Sequence, residues 1–123
     1  MKYPTAKKFI IKEQYYKRSR PNQSLAQFEA YRPTNNTDIV KVIIKKDPVL
    51  KKYPKIEREA VKHEIREVKL HYTKYKDRTK PSKAHEESKS KEPAWLRREI
   101  RKLRKEQGWG LYPYKNDLDK GGR

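Results

Sequence analysis

The sequence predicts a mainly α-helical chain with long extended or irregular arms and no independent globular core. Leu, Ile, Val and Phe together supply only 22 of the 123 residues, below the roughly 20% under which a highly charged chain is expected to be disordered. The formal net charge of +18 adds like-charge repulsion that opposes compaction. We therefore expect a single non-globular chain, intrinsically disordered in isolation, that becomes ordered against a partner.

An amphipathic helix is predicted over residues 54–75. Pro54 suits a first helical position, and apolar side chains then recur at spacings of 4, 3, 4 and 3, which places them on one stripe. Because residues 54–75 carry six cations and four acids, a net charge of only +2, we expect this stripe to bind a neighbouring protein. Its members are Val61, Ile65, Val68, Tyr72 and Tyr75.

A basic helix is predicted over residues 93–107, with Pro93 at its start and Gly108 as its C-terminal cap. It carries six cations and two acids. The preceding residues 76–92 have no apolar side chain larger than Ala84, which indicates a polar linker. Residues 108–123 are predicted to form an irregular aromatic tail.

The N-terminal part is predicted to be extended. Residues 1–21 form a basic aromatic arm bracketed by Pro4 and Pro21. Within residues 22–53, a capping box at Ser24–Gln27 indicates a short helix that ends near Tyr31, and β-branched residues favour one strand over 38–46. Since a lone strand is not stable, we expect it to join the sheet edge of a neighbouring protein.

Two segments combine cations with aromatic side chains, the pattern expected for binding a polyanion. Lys and Arg release counterions from phosphates, and aromatic rings stack on unpaired bases. Packing anchors remain an alternative for the tyrosines, and an acidic protein surface remains an alternative partner. The candidate RNA-binding residues are Lys2, Lys7, Lys8, Lys12, Tyr15, Tyr16, Lys17, Arg18, Arg20, Arg97, Arg98, Arg101, Lys102, Arg104 and Lys105.

The sequence indicates neither a catalytic site nor a metal site. His63, Glu67 and His71 share one helical face, but the two histidines are about 12 Å apart along the axis, too far for one ion to bridge. His85 lies in the predicted linker with no nearby partner. The chain has no cysteine and no glycine-rich phosphate loop. We therefore expect no enzyme activity, no cofactor, no small-molecule substrate and no membrane segment.

In composition and layout, the chain resembles small accessory proteins of ribosomes, in particular lineage-specific mitochondrial ones. This resemblance implies a structural ribosomal protein that binds rRNA through its basic ends and neighbouring ribosomal proteins through its central helix. It transfers no functional residues. The alternative is a structural protein of an acidic protein lattice, such as a microtubule inner protein that binds tubulin in cilia. The mitochondrial matrix is the favoured compartment, with the cytoplasm or a cilium as alternatives.

Overall fold

The prediction of a mainly α-helical chain is wrong. The chain folds as an α/β structure in the computed structural model, which describes residues 4–17, 24–34, 36–75 and 81–109. Within these residues, strands β1, β2 and β3 form one mixed sheet, and helices α1, α2 and α3 follow it in the chain. The strands span Lys8–Tyr15, Ala26–Tyr31 and Ile39–Lys46; a 3-10 helix spans Pro48–Lys52; and the α-helices span Pro54–Tyr72, Pro81–Ser90 and Leu96–Glu106.

Strand β3 lies at the centre of the sheet, between β1 and β2. It pairs in parallel with β1 and antiparallel with β2, with Phe9 opposite Val40 and Phe28 opposite Ile44. The strand predicted over 38–46 is therefore present, but the expectation that it is isolated is wrong. Its sheet partners come from the same chain.

The short helix predicted to end near Tyr31 is also wrong. These residues form β2, in which Phe28 and Ala30 alternate with the exposed Gln27 and Glu29. This alternation matches the two-residue period of a strand with one covered face. Pairing with β3 supplies the backbone partners, so the tertiary context overrides the capping-box signal.

Helix α1 covers one face of the sheet, here called the inner face. Its Val61, Val68 and Tyr72 pack in one cluster with the inward side chains of the central strand, Val40, Val42 and Ile44. Ile65 packs against the same cluster from the edge. The prediction that the chain has no independent globular core is thus wrong. Four of the five stripe residues assigned to a neighbouring protein meet the chain's own sheet. The fifth, Tyr75, lies beyond the end of α1 and donates a hydrogen bond to Glu87 of α2.

A second apolar cluster lies where α3 meets the 3-10 helix and the start of α1. Leu50 and Leu103 are fully buried there, together with Leu25, Ile56, Leu96 and Ile100. Gly108 ends this region with a φ of 74°, a left-handed conformation that favours glycine. One cluster contains residues from the middle and C-terminal part of α1, and the other contains Ile56 near its start. A modest total number of apolar residues is therefore enough to form two small buried clusters.

Helix α2 occupies most of the segment predicted to be a polar linker, and that part of the fold prediction is also wrong. Its apolar contribution is small, but Ala84 is fully buried, and Ser88 Oγ donates a 2.6 Å hydrogen bond to the carbonyl of His63 in α1. Of the aromatic tail, Gly108 and Trp109 are described and the rest lies outside the described residues. No helix in the described ranges is long and apolar enough to cross a membrane.

Candidate nucleic-acid interface

The second face of the sheet, here called the outer face, is the one that α1 does not cover. Because side chains alternate along a strand, this face carries residues 8, 10, 12 and 14 of β1, residues 39, 41, 43 and 45 of β3, and residues 27, 29 and 31 of β2. Four lysines and one glutamate stand among them. The lysines are Lys8, Lys12, Lys41 and Lys45.

The outer face also exposes apolar and aromatic surface between its cations. Ile10, Lys41 and Tyr31 form one row across the three strands. Tyr31 is 52% exposed and Ile10 is 45% exposed. Farther along β3, Lys45 forms an ion pair with Glu29, which lies diagonally across from it, opposite Ile43. The face is therefore flat and basic and presents an accessible ring beside a lysine, the combination that single-stranded RNA-binding sheets use.

The candidate residues of the arm separate onto different surfaces. Lys7, Lys8, Lys12 and Lys17 are exposed, whereas each of the two tyrosines is hydrogen-bonded to another part of the chain, although Tyr15 is still 38% exposed. The hydroxyl of Tyr15 donates to Glu57 Oε2 at 2.6 Å, and the hydroxyl of Tyr16 donates to the carbonyl of Ser24. Both contacts support the packing interpretation. Lys2, Arg18 and Arg20 lie outside the described residues.

Helix α3 presents a narrower basic face than its sequence indicates. Arg98, Lys102 and Lys105 are exposed and Arg101 is half-buried. Arg97 Nη2 lies 3.2 Å from Glu92 Oε1. Arg104 is only 2% exposed, with its guanidinium 5.7 Å from the ring centroid of Trp109. Arg104 therefore contributes to packing and cannot reach a phosphate in this conformation.

An open groove of about 910 Å³ runs between the start of α1 and α3. The rings of Tyr53 and Trp95 line it, with cations from both helices around them: Lys55, Arg58, Arg98 and Lys102. The amino terminus of α1, which carries the positive end of the helix dipole, opens onto the same groove. Two carboxylates, Glu59 and Glu99, also line it, so the groove is a concave and weakly basic surface with aromatic walls.

A polar cluster joins α1 to α2 on another part of the molecule. His63 Nε2 lies 3.2 Å from Glu67 Oε1 and 3.3 Å from His85 Nδ1. His85 Nδ1 lies 2.9 Å from the same Glu67 oxygen. On its other side, His63 Nδ1 forms a 2.8 Å ion-pair contact with Glu92 Oε2, although its angle is poor for a hydrogen bond.

Burial and mutual contacts shift the pKa values of the side chains in this cluster. Burial lowers the pKa of His63, but the hydrogen bond with Glu67 and the contact with Glu92 outweigh it and raise that pKa to about 9. Burial raises the pKa of Glu67, but its bonds with His63 and His85 lower it to about 2. Burial raises the pKa of Glu64 to about 8 despite the attraction of His63.

The expectation that His85 lacks a nearby partner is therefore wrong. Helix α2 returns along α1 and brings His85 beside His63 and Glu67, whereas His71 lies elsewhere on α1, its ring centroid 6.0 Å from that of Phe28. The outer-face residues Lys41, Lys45 and Tyr31 are not among the binding residues predicted from the sequence. The alternation of Lys41, Ile43 and Lys45 with buried neighbours was a usable signal, whereas the contact between His63 and His85 depends on the tertiary fold.

No family model matches the chain, and no curated protein or solved structure is significantly similar to it.

Proposed function

We propose that the protein is a structural RNA-binding component of a ribonucleoprotein particle, and specifically a ribosomal protein that contacts rRNA through the outer face of its sheet. The observation that carries this proposal is the combination of four lysines, one glutamate and an exposed Tyr31 on that uncovered face. Lysines attract phosphates by counterion release, and an exposed ring provides a stacking surface for an unpaired base.

The groove between α1 and α3 supports the same function. Arg98 and Lys102 line it beside Trp95, so it offers charge and an aromatic wall together. The two surfaces suit a protein that holds separate segments of a folded RNA. The overall charge of +18 favours a polyanionic particle as the setting.

The first test is a salt titration of RNA binding. In the variant, Lys8, Lys12, Lys41 and Lys45 are changed to Gln. If these lysines contact four phosphates of a single strand, the slope of log affinity against log salt should become shallower by about 3, at roughly 0.7 per phosphate. Fluorescence anisotropy with a labelled single-stranded RNA measures the slope.

The matched control changes four exposed lysines elsewhere to Gln, with the same loss of charge: Lys52, Lys62, Lys83 and Lys91. We expect the control to retain most of the parent slope. Equal slopes for the two variants would show that net charge, and not the outer face, determines binding.

Stacking is tested separately with Tyr31. Removal of the ring in Tyr31→Ala should weaken binding to single-stranded RNA by about 1–3 kcal/mol, while Tyr31→Phe should bind as the parent does. Duplex RNA, whose bases are stacked, should distinguish the two variants less. If Tyr31→Phe were as weak as Tyr31→Ala, the hydroxyl rather than the ring would be the binding group.

Cellular assembly distinguishes the ribosomal proposal from the alternative of an acidic protein lattice. We expect the tagged protein to co-sediment with ribosomal particles and to be released by RNase. Co-purification with microtubules that is indifferent to RNase would favour the tubulin-binding alternative.

A further inference from the structure

We propose that His63, Glu67 and His85 form a zinc-binding site that fastens α2 to α1. The inference is independent of RNA binding, because none of the three residues lies on the outer face or lines the groove between α1 and α3. It rests on three potential metal-ligand atoms, contributed by α1 and α2, that lie close to one another. A further carboxylate, that of Glu92, contacts the other ring nitrogen of His63.

The separations of the three atoms match the edges of a metal coordination polyhedron. His63 Nε2, Glu67 Oε1 and His85 Nδ1 are 3.2, 3.3 and 2.9 Å apart. In a tetrahedral zinc site with bonds of about 2.0–2.1 Å, neighbouring ligand atoms are separated by roughly 3.3 Å. One ion can therefore lie at bonding distance from all three atoms without a large movement of either helix.

Local structure explains why the ligands meet. His63 and Glu67 are four residues apart on α1, so their side chains lie on the same face one turn apart. His85 follows Ala84, which is fully buried, and therefore comes from the part of α2 closest to α1. Its ring centroid is 5.0 Å from that of His63.

The surroundings of His63 favour a metal ligand. Glu92 Oε2 lies 2.8 Å from His63 Nδ1, near enough for a small reorientation to give the hydrogen bond by which a carboxylate orients a metal-binding histidine and leaves its other nitrogen to coordinate. Two imidazoles and one carboxylate select zinc or a similar transition metal over Ca²⁺ or Mg²⁺, which prefer oxygen ligands.

A fourth ligand can approach the site from an adjoining cavity of about 100 Å³. His63, Glu64 and His85 are among the residues that line it. A water molecule, whose share of liquid volume is about 30 Å³, fits there. Glu64 Oε2, 3.7 Å from His63 Nε2, is near enough to hydrogen-bond that water.

The site would have a structural purpose. Most apolar burial in the described parts of the chain involves the sheet, α1 and α3, whereas α2 contributes Ala84. A helix with so little apolar surface gains little from packing alone. A metal shared between His85 and the α1 ligands supplies the missing attachment.

The test is calorimetric titration of the metal-free full chain with Zn²⁺, followed by Co²⁺ substitution, which reports tetrahedral coordination through visible absorption. We expect one ion per chain for the parent and for His71→Ala, a matched histidine control on the same helix. His85→Ala should abolish stoichiometric binding. Glu92→Gln should weaken it by about 10–100-fold, as is typical when the carboxylate behind a ligand is removed.

Hydrogen exchange provides the second measurement. Zn²⁺ should slow amide exchange in residues 83–90 of the parent and have no such effect in His85→Ala. His85 is partly exposed, so its substitution should leave the fold intact even where His63→Ala does not. The proposal is overturned if the parent binds no zinc, or if His85→Ala binds it as tightly as the parent.

Discussion

Helices α1 and α2 lie against each other but are held in place by different physical means. Helix α1 places Val61, Val68 and Tyr72 into the main apolar cluster. Helix α2 depends on polar contacts: Glu87 accepts from Lys74 at 2.8 Å and from Tyr75 at 2.7 Å. Apolar burial is nondirectional and accumulates with area, whereas each polar contact replaces one with water and adds little net free energy.

The difference implies a hierarchy of stability within the molecule. The sheet and α1 should unfold only with the whole chain, and α2 should open locally at a smaller free energy. A metal bound by His85 would remove much of this difference. The comparison therefore links the stability of α2 to the occupancy of the proposed zinc site.

The largest effect is expected from the sheet beneath α1. Ile44 is fully buried at the centre of the inner face, and Ile44→Ala should lower the free energy of unfolding by about 2–5 kcal/mol, the usual cost of such a truncation in a core. Urea unfolding measures it. The matched control is Ile43→Ala, the same change one residue earlier on the half-buried outer face.

We expect the Ile43 substitution to cost less than half as much. Equal losses of unfolding free energy at the two positions would mean that α1 does not bury the inner face. The sheet and α1 would then not share one core.

A local effect is expected from α2. Ala84→Asp places a carboxylate at a fully buried position, and detachment of the helix is less costly than burial of the charge. Amide exchange in residues 83–90 should accelerate at least about tenfold, equivalent to about 1.4 kcal/mol, with β3 unaffected. The control is Lys83→Asp at the exposed neighbouring position. Acceleration in β3 as well would show that α2 and the sheet unfold as one unit.

The same contrast explains which elements could be predicted from the sequence. Apolar side chains recur at helical spacing along most of α1, so the sequence predicts its start at Pro54 and most of its length. Helix α3 was evident too, although it begins at Leu96 and buries Arg104. Helix α2 has no apolar period, and its polar contacts come from residues distant in sequence. Nothing local distinguished it from a linker.

The sheet was missed for a related reason. The β-branched run of β3 indicated a strand, but its partners are not adjacent in the chain, and β1 pairs with it in parallel across 31 residues, Lys8 with Ile39. Low apolar content predicts that the chain has no core, yet the inner face needs few large side chains because Val40, Val42 and Ile44 are almost completely buried. Composition limits the size of a core but does not show how efficiently it is used.

The smallest effect is expected at the polar contact that joins the start of α1 to the sheet. Lys46 Nζ lies 2.7 Å from Glu57 Oε2 and 3.0 Å from Glu13 Oε1. Burial raises the pKa of Glu57, but its bonds with Lys46 and Tyr15 outweigh burial and hold that pKa below the usual range. Burial lowers the pKa of Lys46, but the two carboxylates raise it above its ordinary value, so Lys46 remains charged under acid and neutral conditions.

A carboxyl group whose pKa is lowered on folding stabilises the fold above its unfolded pKa of about 4.3. That stabilisation disappears as the pH falls through the folded pKa. Glu57→Gln should therefore be less stable than the parent at neutral pH, and the difference should shrink as the pH falls below about 4. Thermal unfolding of both proteins across this pH range tests the prediction. The control is Glu59→Gln, because Glu59 lies on the same helix and its Oε2 is 3.5 Å from Lys62 Nζ. A difference that grows with acidity would show that the carboxylate of Glu57 destabilises the fold.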